Sequence, residues 1–249
     1  MSEKTNNLFS LKGKIAIVTG GAGNLGPWWA KALRQAGADV ALIDLPQKKM
    51  PSSFNSYIAD ITNPKDLHQV HQKINSDLGL VSILVNNAGI DVPPGAPVSN
   101  YHQLWEVNVQ GLVNCIEEFL PDMKKIKNGS IINIGSLYLE RAPYPDLYSH
   151  LNFDKPWAYG ATKASVDSIT RHYAVRLAKF GIRVNTLSPG GVFNNQDKEF
   201  VKKYSARVPL GRMADKEKDL AGPLVFLASE ASSYVTGINL QVSGGYTAW

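Results

Sequence analysis

A doubly wound α/β fold, one parallel sheet with helices on both faces, is predicted by three features of the sequence. Short apolar runs alternate with longer helical patterns, a glycine-rich turn joins the first run to the first helix, and an acidic residue closes the second run. Strand-length runs rich in Ile and Val flanked by helices favour parallel strands joined by crossovers.

The strands are expected at Lys14 to Thr19, Asp39 to Asp44, Ser82 to Val85, Ser130 to Ile134, Ile182 to Leu187 and Ile238 to Val242. Between them, helical periodicity runs from Leu25 to Ala36, Pro64 to Leu78, Ser99 to Phe119, Trp157 to Phe180 and Lys216 to Ser229. No repeat or linker divides the 249 residues, so a single domain over 1–249 is expected, with residues 1–10 as a loosely held arm.

Composition narrows the function. With 44% hydrophobic and 19% charged residues the chain has an ordinary globular balance. No apolar run approaches the ~20 residues of a membrane span, and the polar start Met1-Ser-Glu-Lys lacks a secretory core, so no membrane partner and a cytoplasmic location are expected. The net charge of +5 is dispersed apart from Lys124, Lys125 and Lys127, a pattern of a solvated helix end and not of a nucleic-acid surface. Cys115 is the one cysteine and sits among apolar neighbours, which excludes an internal disulfide. His68 and His71 share a helical face without a spaced third ligand, so no metal is expected and a surface helix accounts for them.

Thr19-Gly-Gly-Ala-Gly-Asn-Leu-Gly26 lies between a strand and an amphipathic helix. In that context Gly20, Gly23 and Gly26 let backbone approach a pyrophosphate, with Asn24 and Leu25 in the same turn. The helix start favours negative charge, and Pro27 suits its first turn. Asp44, about twenty residues on, is placed to accept from ribose hydroxyls and to repel a 2′-phosphate, which favours NAD over NADP; Lys48 and Lys49 stand nearby, and a plain strand-end cap is the alternative.

Tyr159-Gly-Ala-Thr-Lys163 puts a phenol and an ammonium one turn apart on a helix. A cation beside a phenol favours phenolate, and lowering the phenol from ~10 to ~7 takes roughly 4 kcal/mol, giving an acid or base for neutral pH.

Thr19 to Gly26, Asn86-Asn-Ala-Gly89, Asn108, Ser136, Tyr159-x-x-x-Lys163 and Pro189-Gly190, in this order, resemble the short-chain dehydrogenase/reductase family over about Lys12 to Gly245. The resemblance implies a Rossmann fold and hydride transfer between a nicotinamide and a substrate carbon. Tyr159 would then be the general acid/base and Lys163 the holder of the nicotinamide ribose. Ser136 would bond the substrate oxygen, and Asn108 would complete a proton relay. It further implies that Asp60 and Ile61 adjoin adenine, Asn87, Ala88 and Gly89 line the adenine-side ribose, and Pro189, Gly190, Val192 and Asn194 flank the nicotinamide. Self-association, as a dimer or tetramer, is implied through the helices around Val109 to Phe119 and Ala158 to Lys179.

The chain departs from that pattern at three places. Asn24 stands where the shorter branch of the family has glycine, which resembles the extended, sugar-nucleotide-modifying branch, although the length and Asn86-Asn-Ala-Gly89 fit the shorter one. Asn194 stands where a threonine is common. The stretch between Ser136 and Tyr159 is long, so residues 137–156 form an inserted loop at the active-site mouth, and 191–213 the segment that closes over substrate.

The insertion is aromatic and polar, which suits a small sugar, polyol or sugar acid, with Tyr138, Tyr148 and His150 as substrate residues beside Ser136, Tyr159 and Asn194. Arg141, His150, Lys155 and Arg212 are candidate anchors for a carboxylate or phosphate. An NAD-dependent alcohol dehydrogenase or carbonyl reductase is the expectation. A sugar-nucleotide enzyme using transient oxidation, or a noncatalytic nucleotide sensor, is the alternative.

Overall fold

The computed structural model describes residues 8–91, 100–151 and 155–249. One seven-stranded sheet runs through it, every pairing parallel, in the order β3-β2-β1-β4-β5-β6-β7. In chain order its elements begin β1 (Ile15–Thr19), α1 (Gly26–Gln35), β2 (Asp39–Asp44), β3 (Asn55–Ile58), α2 (Pro64–Asp77) and β4 (Ile83–Asn86). Then come α3 (Tyr101–Trp105), a π-helical turn (Glu106–Gly111), α4 (Leu112–Ile126), β5 (Gly129–Ile134) and α5 (Trp157–Leu177). The chain finishes with β6 (Ile182–Pro189), α6 (Lys198–Arg207), α7 (Ala221–Ala228) and β7 (Asn239–Val242).

Alternation along each strand sends side chains to two cores. In β1, Ile17 joins the face packed by Leu67, Phe119 and Val166, while Ala16 and Val18 join the face packed by Trp29, Leu33 and Leu224. At ~25 cal/mol per Å² of apolar surface removed from water, these two layers supply the main stabilisation. Because β1 neighbours β2 on one side and β4 on the other, the order reverses between β1 and β4. A crevice therefore opens beyond their C-terminal ends.

Three elements and one side chain depart from expectation. β3 was not foreseen because Asn55-Ser-Tyr-Ile58 is an edge strand in which only Tyr57 is buried, so no apolar run announces it. The expected helix from Ser99 begins at Tyr101 and continues past Phe119 through Pro121 to Ile126, where Lys127 turns left-handed at φ 51°; Ser99 lies outside the described residues. The expected helix from Lys216 begins at Ala221; the preceding stretch is a turn, at the start of which Asp215 accepts from the backbone of Glu217 and Lys218 at 2.9 and 2.8 Å. His71 is buried and not on a surface: its ring nitrogens face Glu118 at 2.8 Å and Asp122 at 2.9 Å, while His68 also meets Glu118.

Of the expected arm, residues 1–7 lie outside the described residues and Leu8 and Phe9 are exposed; burial begins at Leu11, just past it. Burial also pushes the Cys115 thiol far up, so it stays protonated.

Candidate active site

The crevice between β1 and β4 is built largely from backbone. Gly20 lies at φ +65°, and a Cβ there would meet Ala88 Cα at 2.8 Å. A Cβ on Gly26 would stand 2.2 Å from Gly20 O, so the turn closes on α1 only with glycine present. Asn87 ties the turn to β4: its Nδ2 donates to Thr19 O at 2.9 Å and Gly20 O at 3.1 Å, and its Oδ1 accepts from Trp29 Nε1 at 2.9 Å. Ala88 N donates to Thr19 Oγ1 at 3.0 Å. Pro27 occupies the first turn of α1, whose N-cap Leu25 makes no side-chain cap. N–H groups left without a side-chain cap at a helix start favour an anion. These residues fit a dinucleotide: small, backbone-lined, with a helix start at one end.

Asp44 closes the end of β2. Its carboxylate accepts from Ala22 N and Leu45 N, each at 2.8 Å, which holds it beside the glycine turn.

A cavity of about 510 Å³ extends from this turn to the residues expected to do the chemistry. Gly20, Gly23, Asn24, Leu25 and Asn87 to Gly89 line one end, and Pro189, Gly190 and Val192 line its flank. Ser136, Tyr159, Lys163, Tyr138 and Tyr148 line the other end. Gly26, Asp44, Asp60, Ile61, Asn108, His150 and Asn194 are not among the lining residues.

Each of these outliers has a structural engagement. Asp60 accepts from Thr62 N at 2.9 Å and Thr62 Oγ1 at 2.8 Å. Ile61 packs against Gly111, whose Cβ would sit 2.6 Å away. His150 faces Asp197 Oδ1 at 2.8 Å, joining the 137–151 stretch to the N-cap of α6. Asn194 Oδ1 accepts from Lys216 Nζ at 2.6 Å. Asn108 lies in the π turn, a local widening common at functional sites. Its Oδ1 accepts from Ile90 N at 2.8 Å, and its Nδ2 donates to Ile90 O at 2.9 Å and Thr162 Oγ1 at 3.1 Å, so the amide pins the segment after β4 to α5.

The Tyr159–Lys163 pair differs from the simple expectation of a phenol made acidic by its neighbour. Burial and the Asp91 carboxylate push the Tyr159 phenol up, and only the hydrogen bond with Ser136 pulls it down. Lys163 Nζ is 5.9 Å from the ring centroid and donates to Ile134 O at 2.8 Å; burial lowers its amine to about 8. Desolvation is therefore the largest influence on both groups.

Expected and unexpected residues together complete the mouth. Asp91 forms an ion pair with Lys155, and Lys155 Nζ stands 4.8 Å from the Tyr159 ring centroid. Of the four candidate anion anchors, Lys155 alone lines the cavity: Arg141 donates to Thr247 O at 2.5 Å and Arg212 pairs with Asp219 at 2.5 Å. Tyr138 and Tyr148 share a 2.8 Å hydroxyl–hydroxyl bond. Tyr204 in α6 stacks on Tyr246 at 4.8 Å, and its hydroxyl accepts from Gly191 N at 2.5 Å. Gln196, Phe200, Tyr204 and Met213 line the cavity from within the 191–213 segment expected to close over substrate, whereas no local signal marks Asp91 as a cavity residue.

Comparison with known proteins gives the arrangement a context. The family model described as Enoyl-(Acyl carrier protein) reductase matches residues 20–247. Sorbose reductase of Candida albicans is 33% identical over 260 residues, spanning 97% of this chain and 89% of its own. A gluconate 5-dehydrogenase from Burkholderia cenocepacia, solved with NADP and tartrate, superposes with a TM-score of 0.89 at 28% identity over 98% of this chain and 99% of its own. A short chain dehydrogenase from Leptospira borgpetersenii with bound NAD+ gives 0.88 at 31% identity over 99% and 97%.

Proposed function

Because the chain belongs to the short-chain dehydrogenase/reductase family, whose members bind nicotinamide cofactors, we propose that this oxidoreductase interconverts a secondary alcohol and a ketone on a small polyhydroxylated substrate, with NAD preferred. One observation carries the reading: Ser136, Tyr159 and Lys163 meet at one end of a single cavity whose other end is the glycine turn. The cofactor, when bound, supplies or accepts hydride at the substrate carbon. The chain does the rest.

Tyr159 holds or takes the proton at the substrate oxygen, and Ser136 donates to the same oxygen and steadies its charge. Lys163, fixed on Ile134 O, keeps a cation near the phenol, since an amine lowered to about 8 is still mostly protonated at neutral pH. Asn108 acts as a positioning residue through Ile90 and Thr162. Gly20 to Gly26 and Asn87 to Gly89 hold the dinucleotide. Asp44 orients its ribose and disfavours a 2′-phosphate, while Asp60 and Ile61 shape the adenine side through the turn they form.

The substrate class rests on the mouth. Two bonded phenols, an Asp91–Lys155 pair and Gln196 offer hydroxyl-matching donors and acceptors beside the rings of Phe200 and Tyr204. Similarity to a sorbose reductase and to a gluconate 5-dehydrogenase supports the same class. One similar structure carries NADP and another NAD+, so the NAD preference rests on Asp44. No helix among the described residues is long and apolar enough to cross a membrane, which fits a cytoplasmic enzyme. Self-association through α5, where Val175 is 80% exposed, belongs to this reading.

The test is a panel of ketoses, keto sugar acids, long-chain ketones and steroid ketones with NADH and NADPH, followed by cofactor absorbance. Net NADH oxidation with the sugars is expected, and Asp44→Ala should erode the preference for NADH. Turnover concentrated on long-chain or steroid ketones would overturn the substrate class, and no net cofactor turnover would overturn the reaction.

A further inference from the structure

The two asparagines that break the family pattern meet at one lysine. Lys216 Nζ donates to Asn24 Oδ1 at 2.5 Å and to Asn194 Oδ1 at 2.6 Å. Asn24 belongs to the glycine turn and lines the cavity, and Asn194 lies two residues beyond the lining Val192. One ammonium therefore spans two lips of the cleft, through charge-assisted bonds that are the stronger kind of hydrogen bond.

Both ends of the bridge are held in advance. Asn194 N donates to Gln196 Oε1 at 2.7 Å, Gln196 Nε2 donates to Val192 O at 2.8 Å, and the chain turns at Asn195 with φ 58°, a left-handed conformation that asparagine tolerates. On the lysine side, Asp215 accepts from the backbone N–H groups of Glu217 and Lys218. Asp219 accepts from Asp215 N at 2.7 Å and pairs with Arg212. Glu217 pairs with Lys31 of α1, whose ammonium lies 5.6 Å from the Trp28 ring. A side chain presented from so fixed a turn loses less freedom on bridging than one on a mobile loop.

We propose that Lys216 is a latch on the cofactor cleft, tying the glycine turn to the segment after Gly191 and so slowing the departure of a bound nicotinamide dinucleotide. The latch rests on the dinucleotide reading given above. A ligand lying along the cavity from the glycine turn toward Lys163 leaves when those lips part, and parting them breaks the Asn24–Lys216–Asn194 bridge. The ammonium also brings positive charge to the turn that precedes α1, on the side where a diphosphate is favoured. Glycine in place of Asn24 removes one acceptor, and threonine in place of Asn194 withdraws the other by an atom toward the backbone, so the two departures and the lysine form one device.

NADH and NADPH are the probes, with binding read by nucleotide fluorescence and dissociation by stopped-flow displacement. Lys216→Met, which keeps the stem and removes the donors, should raise the dissociation rate about tenfold and leave association within about twofold. Asn24→Gly and Asn194→Thr should each give a smaller rise, the double variant should match Lys216→Met, and neither should add to it. The melting temperature of the cofactor-free protein should stay within about 2 °C, since the bridge is partly exposed. Dissociation unchanged in Lys216→Met, or asparagine effects that persist undiminished in its background, would overturn the latch while leaving the dinucleotide reading intact. A wild-type protein that binds neither nucleotide overturns both.

Discussion

The two ends of the cavity are built from different material. At the cofactor end the working surface is backbone: Gly20, Gly23 and Gly26, the N–H groups opening α1, and Asn87 stitching β1 to β4. At the substrate end it is side chains from distant stretches, with Tyr138 and Tyr148 before α5, Asp91 after β4, and Phe200 and Tyr204 in α6. A backbone surface is set by local spacing and tolerates no added atoms. A side-chain surface is set by tertiary packing and can change its ligand while the fold stays.

Two substitutions give the largest effects and separate the ends. Tyr159→Phe should lower turnover by ~10²–10⁴, the usual worth of a general acid or base, while nucleotide fluorescence still reports cofactor binding. Gly26→Ala puts a Cβ where Gly20 O stands at 2.2 Å; the turn must shift, costing about 1–3 kcal/mol of stability, and binding should fall together with turnover. Retained NADH affinity in Gly26→Ala, or lost affinity in Tyr159→Phe, would dissolve the distinction between the ends.

The same difference explains what the sequence disclosed. The parallel sheet, the glycine turn, Asp44 at the end of β2 and the Tyr159–Lys163 spacing were legible because short-range patterns specify them, whereas Ser136 was reached only through the family resemblance before the structure placed it in the same cavity. β3 was not, since a half-exposed edge strand needs no apolar run. Asp91 and Lys216 were not, because their partners lie far along the chain. His150 was named as a substrate residue for its chemistry, and the structure puts its Nε2 against Asp197 and leaves it out of the cavity lining. The Tyr159–Lys163 spacing was legible while its electrostatics were not: burial, which a four-residue spacing does not reveal, pushes the phenol up.

A smaller effect tests whether Asp91 and Lys155 tune Tyr159, the proposed general acid/base. The groups around the Tyr159 ring are Lys163 on its own helix, Ser136 after β5, Tyr138 at 6.4 Å edge-on, Asp91 and Lys155 at the mouth, and Tyr101 in the adjoining cluster. Asp91 opposes phenolate, so Asp91→Asn should move the acid limb of alcohol oxidation to lower pH. Lys155→Met leaves Asp91 without its cation and should move that limb to higher pH. Shifts in the same direction would show that the pair acts through loop position and not through charge.

The finest test lies at the seam, where Lys163 faces both ends. Its amine titrates near 8 in the folded protein against 10.5 for an open lysine. Between those values the unfolded chain holds a proton that the folded one has released, so this group's contribution to stability rises with pH. Below 8 both states are protonated and the cost of burying the ammonium is fully present. Lys163→Met removes the titration and, at every pH, the bond to Ile134 O, so only the pH-dependent part of the difference reports the amine. Denaturation of the cofactor-free proteins from pH 7 to 10 should show wild type gaining on the variant above about pH 8; stopping at 10 avoids the opposite contribution of Tyr159, whose raised phenol loses stability only above its ordinary value. A flat difference would mean that the ammonium is solvated in the cavity, and the seam would then belong to the open substrate end and not to the closed backbone of the cofactor end.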